Sequence, residues 1–173
     1  MEIELERTFL LKYIPEGLDK CKFIEIEDIY IPAASEHPVL RIRRKGNKFE
    51  ITKKQPVSGT DSSEQSEHTI ILSEEEYKDL SKLKGKRFRK IRYYYPCDSG
   101  NAEIDIFEDD LDGLAVVDFE FNLKSEKDNF KMPDFCLADV TQDRTIAGGI
   151  LAGKKFSDIK SELEKYGHKE LRN

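Results

Sequence analysis

Charged and apolar residues alternate with a period of two along much of this chain. Near its start, Glu2, Glu4 and Glu6 occupy even positions, whereas Ile3 and Leu5 occupy odd positions. Successive side chains of a β-strand point to opposite faces, so this alternation predicts a strand with one carboxylate face and one apolar face. Comparable patterns predict about eight strands in all, at residues 2–9, 24–31, 39–45, 48–54, 69–72, 88–95, 103–106 and 117–121.

Helix signals are fewer than strand signals. Ser73 and Glu76 form a capping box, in which each side chain can bind the other residue's backbone, and this predicts a helix that extends to about Leu83. Ser157 as N-cap and Gly167 as stop predict another helix over residues 157–166. We also expect a short helix at 15–22, a helix at 141–151 and a polar loop at 55–65.

The charges of the predicted strands are sorted by sign. Carboxylates share one face of the first strand, of 103–106 and of 117–121, whereas basic residues share one face of 39–45 and of 88–95. The pattern alone favours an antiparallel sheet with its charged face in water and its apolar face on helices. The sorting by strand and the small number of helices favour instead a barrel with a charged interior. Unpaired buried charge is costly, so such an interior would need ligands: phosphate for the bases and a divalent metal for the carboxylates.

Composition narrows the class of protein. The chain has 173 residues, a length typical of one domain, and 37% of them are charged, with 35 acidic against 29 basic side chains. No apolar run reaches the length of about 20 residues that a spanning helix needs, and the net charge of -6 argues against binding to duplex DNA. Cys21, Cys97 and Cys136 are odd in number and form no CxxC pair, which favours neither a disulfide framework nor a thiolate zinc site. With no visible secretory signal, we expect a cytoplasmic protein.

Seven short motifs follow one another over residues 4–152. They are Glu4-Leu5-Glu6-Arg7-Thr8, Arg41-Ile42-Arg43, Thr52-Lys53-Lys54, Lys90-Ile91-Arg92, Glu103-Ile104-Asp105-Ile106-Phe107, Gly113-Leu114 with Asp118-Phe119-Glu120-Phe121, and Asp139-Val140-Thr141. None is specific by itself, but their order resembles the CYTH superfamily of triphosphate tunnel metalloenzymes, which includes thiamine triphosphatases, inorganic triphosphatases and class IV adenylate cyclases. Three positions depart from that pattern, since Thr8 stands where the signature has lysine, and Asp118 and Asp139 stand where glutamate is usual.

The resemblance implies an α+β fold that is mainly antiparallel β, with an eight-stranded, closed, tunnel-like barrel, a charged interior and flanking helices. It implies a single CYTH-like domain over residues 1–173, with barrel strands at about 2–123 and a C-terminal helical segment at about 139–167. It also implies Mg²⁺ or Mn²⁺ as cofactor. The site residues carried over by this resemblance are the metal ligands Glu4, Glu6, Asp105, Asp118 and Glu120, the phosphate-binding residues Arg41, Arg43, Lys54, Lys90 and Arg92, and the catalytic residues Glu4, Glu6, Lys54 and Arg92.

The chemistry of these residue types agrees with that assignment. Mg²⁺ prefers carboxylate and phosphate oxygens, and arginine and lysine bind phosphate. We therefore expect a metal-dependent hydrolase of inorganic triphosphate, thiamine triphosphate or a nucleoside triphosphate. The alternatives are an adenylate cyclase of the CYTH type, or a domain that binds triphosphate without cleaving it, because Thr8 cannot supply the charge of the signature lysine. The expected partner is a small-molecule triphosphate, and the expected protein is a monomer or homodimer; an RNA 5′-triphosphate, duplex DNA and a membrane are not expected partners.

Overall fold

Eight antiparallel strands form a closed barrel in a computed structural model that describes residues 2–98 and 100–172. The strands are β1 (Glu2–Leu11), β2 (Phe23–Ile31), β3 (Leu40–Lys45), β4 (Lys48–Pro56), β5 (Glu64–Leu72), β6 (Lys86–Cys97), β7 (Gly100–Phe107) and β8 (Ala115–Phe121). Around the barrel they follow the order β5–β4–β3–β2–β6–β7–β8–β1, and pairing of β1 with β5 closes the circle. This confirms the predicted eight-stranded closed barrel of an α+β fold.

A ninth strand, β9 (Cys136–Asp139), extends the sheet beyond the barrel. It pairs with the end of β1, where Phe9 lies opposite Asp139 and Leu10 lies opposite Ala138. The sequence does not predict β9, because Cys136–Asp139 shows no alternation of charged and apolar residues. This strand places the Asp139-Val140-Thr141 motif beside β1.

The predicted loop at 55–65 is shorter in the structure, because strand pairing extends into both of its ends. β4 continues to Pro56, which lies opposite Gln65 of β5. β5 begins at Glu64, which pairs with Leu5 of β1. The backbone of these polar residues pairs with neighbouring strands, although their composition is typical of a loop.

Four helices lie within the described residues: α1 (Glu74–Leu80), α2 (Lys124–Asn129), α3 (Gly148–Leu151) and α4 (Phe156–Glu164). The capping box of α1 is confirmed, since the hydroxyl of Ser73 accepts from the backbone N of Glu76 at 3.2 Å and the Glu76 carboxylate accepts from the N of Ser73 at 2.7 Å. The sequence does not predict α2. None of the helices in the described part of the chain is long and apolar enough to cross a membrane.

Three other predicted helices need correction. The helix expected at 15–22 is a single 3₁₀ turn, Leu18–Lys20, which follows Gly17 in the left-handed conformation at a φ of 79°. The helix expected at 141–151 is a 3₁₀ turn, Arg144–Ile146, followed by the four-residue α3. The last helix starts at Phe156, and its N-terminal cap is at Lys155 rather than at Ser157, because Asp158 accepts from the N of Lys155 at 2.8 Å.

Apolar residues cover the outside of the barrel in two places. On β1 and β8 they form a cluster with the segment after α2, in which Phe9 and Phe119 are almost fully buried beside Phe135. On β2 and β3, Ile29 and Ile42 pack with Tyr77 of α1. Burial of the outward faces leaves the charged faces of the same strands directed into the barrel.

A third apolar cluster fills one end of the barrel interior. Tyr30, Phe88, Phe107 and other inward-facing residues there pack against Leu151 of α3 and against α4. The approach is so close that a β-carbon added at Gly148 would lie 2.1 Å from the Tyr30 hydroxyl, which only glycine tolerates. The C-terminal segment therefore closes this end, and the charged part of the interior lies beyond it.

Candidate functional site

The barrel interior contains a cavity of about 380 Å³. Ligand sites in proteins commonly measure about 300–1,000 Å³, so a small molecule fits this space. All ten residues that the sequence analysis selects as site residues line this cavity: Glu4, Glu6, Arg41, Arg43, Lys54, Lys90, Arg92, Asp105, Asp118 and Glu120.

Strand register brings the predicted metal ligands together on one wall. Glu6 of β1 lies directly opposite Glu120 of β8, and Asp118 of β8 lies directly opposite Glu103 of β7. Directly opposed side chains on one face have β-carbons about 4.5–5.5 Å apart, and like charges at that spacing repel. Glu6, Glu103, Asp118 and Glu120 therefore give this wall, here called the acidic wall, an excess of negative charge that a cation would neutralise.

Lys54 reaches this acidic wall from β4. Its Nζ lies 2.6 Å from Glu4 Oε2 and 2.8 Å from Glu6 Oε2. Burial favours neutral forms, but the two carboxylates outweigh it and raise the pKa of Lys54 above its ordinary value. The residue predicted to bind phosphate thus forms ion pairs with two predicted metal ligands.

Two carboxyls on the acidic wall hold their protons more tightly than usual. Burial raises the pKa of Glu6, and the nearby charges of Asp118 and Glu4 add to this effect against the opposing charge of Lys54. Partial burial, followed by the charges of Glu103 and Glu4, raises the pKa of Glu120. Both shifts have the direction expected for carboxyls that are buried beside other carboxylates.

Arg92 of β6 is the centre of a second group of ion pairs. It donates to Asp105 from Nε and Nη2, each at 2.7 Å, and from Nη2 to Asp118 Oδ2 at 3.2 Å. Its Nη1 also contacts Glu103, and Lys90 donates to the same Asp105 carboxylate. Asp105 is fully buried, and although burial opposes its ionisation, Arg92 and Lys90 hold its pKa well below the ordinary value. Its two oxygens are therefore occupied by cations.

Arg43 forms a bidentate pair with Asp28 on the neighbouring strand, with distances of 2.6 and 2.7 Å. Burial would raise the pKa of Asp28, but the charge and hydrogen bonds of Arg43 outweigh it and lower that pKa to about 2. Asp28 is not predictable as a site residue from the sequence, because Ile26 and Ile29 make β2 apolar on both faces. Asp28 lies opposite Arg43 in strand register, which only the folded sheet defines.

Arg41 differs from the other cations of the cavity. Its closest carboxylate oxygen, Glu67 Oε2, is 3.8 Å from Nη2, and its buried Nε has no hydrogen-bond partner among the described residues. A buried guanidinium donor without an acceptor is costly, and an anion in the cavity would satisfy it. Arg41 is therefore the cation most available to a ligand.

The acidic wall fits a hard divalent metal by its chemistry, although its side chains are held by cations. No three His, Cys, Asp or Glu side chains within residues 2–98 and 100–172 form a group that could hold a metal as they stand. Lys54 binds Glu4 and Glu6, and Arg92 binds Asp118, so three ion pairs engage these carboxylates. Clustered carboxylate oxygens are the donors that Mg²⁺ and Mn²⁺ prefer, so a metal ion that displaced these cations would find suitable ligands.

Replacing Asp28 by Asn should destabilise the fold by about 3–5 kcal/mol at neutral pH, because it leaves the Arg43 guanidinium buried and unpaired. The lowered pKa of Asp28 means that its contribution is present above its unfolded pKa of about 4 and is lost as pH falls through 2. The destabilisation by Asp28→Asn should therefore shrink by about 2 kcal/mol between pH 5 and pH 2. Thermal unfolding of both proteins across this range measures it, and a difference that does not change with pH would contradict the pairing.

Comparison with known proteins identifies relatives over most of the chain. A sequence model of the CYTH domain matches residues 2–137. An inorganic triphosphatase of Nitrosomonas europaea is 25% identical over 151 residues, which make up 86% of this chain and 96% of that protein. The crystal structure of an inorganic triphosphatase has a TM-score of 0.64 at 24% identity and covers 89% of this chain and 97% of that one. A putative adenylate cyclase from Bacillus halodurans has a TM-score of 0.55 at 18% identity, covering 99% and 94%. Both solved structures share the fold described above.

Proposed function

The chain belongs to the CYTH domain family, and on that premise we propose that it is a metal-dependent hydrolase of a small triphosphate. The observation that carries the proposal is the division of one cavity into an acidic wall and a basic wall. Carboxylates from β1 and β8 face the cavity together with arginines and lysines from β3, β4 and β6. A chain of phosphates with a bound divalent cation has the complementary distribution of charge.

The basic wall would bind the phosphates. Arg41 offers a buried donor that has no partner among the described residues. Arg43 and Arg92, which Asp28 and Asp105 hold in place, also line the cavity, and planar guanidinium groups match phosphate oxygens. Lys54 and Lys90 add point charges. Hydrolysis of a phosphoanhydride depends mainly on positioning and on charge neutralisation, so this wall needs no covalent nucleophile.

The acidic wall would hold Mg²⁺ or Mn²⁺. Glu4, Glu6, Asp118 and Glu120 are the residues that would bind it through carboxylate oxygens. When bound, such an ion neutralises the charge that develops on the phosphoryl oxygens and can activate a water. Asp105 has a different role in this proposal: it holds Arg92 and Lys90 in place, because both of its oxygens already accept from them.

Among triphosphates, we favour inorganic triphosphate as the substrate. The relative in Nitrosomonas europaea is named an inorganic triphosphatase, and the aligned region covers nearly all of it. In this chain the apolar end of the cavity is closed by α3, where Tyr30 and Gly148 are in close contact. Closure of this end by α3 favours a compact substrate over one that carries a base or a thiazole ring.

A panel of substrates tests the proposed function. The purified protein is incubated with inorganic triphosphate, thiamine triphosphate or ATP, with Mg²⁺, Mn²⁺ or EDTA, and both phosphate and cyclic AMP are measured. We expect metal-dependent phosphate release, fastest with inorganic triphosphate, and no cyclic AMP. Cyclic AMP as the main product from ATP would favour a cyclase, and no turnover of any compound would contradict a hydrolase.

A further inference from the structure

Thr8 and Asp118 occupy one cross-strand pair in the wall of the cavity. They lie directly opposite each other on β1 and β8, and the Thr8 hydroxyl donates to Asp118 Oδ1 at 2.7 Å. The other carboxylate oxygen, Oδ2, accepts from Arg92 Nη2 at 3.2 Å. Donors from two strands thus fix the direction of the Asp118 carboxylate.

The backbone of Thr8 is itself held in place. Its N–H donates to Thr141 Oγ1 at 3.0 Å, and Thr141 in turn is bound to Asp139 at the end of β9. The hydroxyl of Thr8 has one proton, which is used on Asp118, so this hydroxyl serves as a fixed donor to that carboxylate. The position that departs most from the family signature is therefore built into the site.

From this geometry we propose that Thr8 is a positioning residue for the metal ion, acting through Asp118. A neutral hydroxyl orients the carboxylate without neutralising it, so the carboxylate keeps its charge for the metal. Hydrogen bonds to ligating carboxylates commonly change metal affinity by about 10- to 100-fold. The inference rests on the proposed function, because it assumes that Asp118 binds the metal.

Calorimetric titration with Mn²⁺ tests this without relying on turnover. Thr8→Val has nearly the same shape but no hydroxyl, and it should weaken Mn²⁺ binding by about 10- to 100-fold. Thr8→Ser keeps the hydroxyl and should restore most of the affinity. Thr52→Val is the matched control, because Thr52 is a buried hydroxyl of β4 that bonds Thr69 and no predicted metal ligand.

Testing Thr8→Val in a protein that already carries Asp118→Asn separates positioning of the carboxylate from a general effect on packing. We call this protein and the wild type the two backgrounds. In Asp118→Asn the carboxylate is absent, so Thr8→Val should cause little further loss of Mn²⁺ affinity there. Equal Mn²⁺ affinity of Thr8→Val and wild type would overturn the inference, and so would an equal loss in both backgrounds. If the wild type binds no Mn²⁺ in the presence or absence of triphosphate, the inference and the proposed function both fail. Mn²⁺ binding by the wild type that Thr8→Val leaves unchanged overturns the inference alone.

Discussion

Replacing Glu6 by Gln should lower metal-dependent triphosphate hydrolysis by about 10³-fold in kcat/KM, which corresponds to about 4 kcal/mol of transition-state stabilisation. Glu6 lies opposite Glu120, and its pKa is raised by burial and by neighbouring carboxylates. The amide has nearly the same shape but no charge for the metal, and metal ions supply several kcal/mol in such reactions. The measurement is phosphate release from inorganic triphosphate at several Mg²⁺ concentrations.

The Glu6→Gln protein should remain folded. The amide oxygen can still accept from Gln65 Nε2, which lies 3.2 Å from Glu6 Oε1, and Lys54 keeps Glu4 as a partner. Glu74→Gln is the matched control, since Glu74 is an exposed glutamate of α1. Unchanged kcat/KM in Glu6→Gln, with the same melting temperature, would exclude Glu6 from the site.

Replacing Arg41 by Gln should weaken binding of triphosphate by about 10- to 100-fold, because hydrogen bonds to charged groups contribute about 1.5–3 kcal/mol. Arg41 is suited to this test because its ion pair with Glu67 is long, at 3.8 Å from Nη2 to Oε2, and its Nε has no partner in the described part of the chain. Its removal therefore breaks no short ion pair with a carboxylate. Calorimetric titration with inorganic triphosphate in the presence of EDTA measures binding separately from hydrolysis.

Arg44→Gln is the control for Arg41→Gln. Arg44 lies on the same strand but faces outward, where it approaches Glu25 and Glu27 at 3.9 and 3.6 Å. Both changes remove one positive charge, so a general effect of net charge would weaken binding equally in the two variants. Equal affinities would therefore contradict a specific role for Arg41, whereas the proposed role requires a loss in Arg41→Gln alone.

The barrel was predictable because its strands are long and carry charged residues on one face and apolar residues on the other. The period-two pattern of β1, with Glu4 and Glu6 opposed to Leu5, specifies both the strand and its inward face. Short elements carry no such signal, and β9, α2 and α3 are set by contacts with distant parts of the chain. Gly148 and Gly149 are poor helix formers, and α3 exists because its chain packs against Tyr30 and Pro38.

The lining of the cavity was also predictable, but the contacts within it were not. Parity along each strand and the family resemblance select ten residues, and all of them line one cavity. The pairing of Lys54 with Glu4 joins β4 to β1, which are not neighbours in the sheet, so it depends on barrel closure. Likewise, Asp105 resembles a metal ligand in sequence, whereas in the structure Arg92 and Lys90 occupy its oxygens.

The most direct test of the central claim is a ³¹P NMR spectrum of inorganic triphosphate incubated with the purified protein and Mg²⁺. The proposed chemistry adds water across one terminal phosphoanhydride bond. It therefore predicts orthophosphate and pyrophosphate in equal amounts, no product when EDTA replaces Mg²⁺, and product formation about 10³-fold slower when Glu6→Gln replaces the wild type. A spectrum in which triphosphate persists unchanged with Mg²⁺ and with Mn²⁺ would contradict the assignment of this charged barrel as a hydrolase.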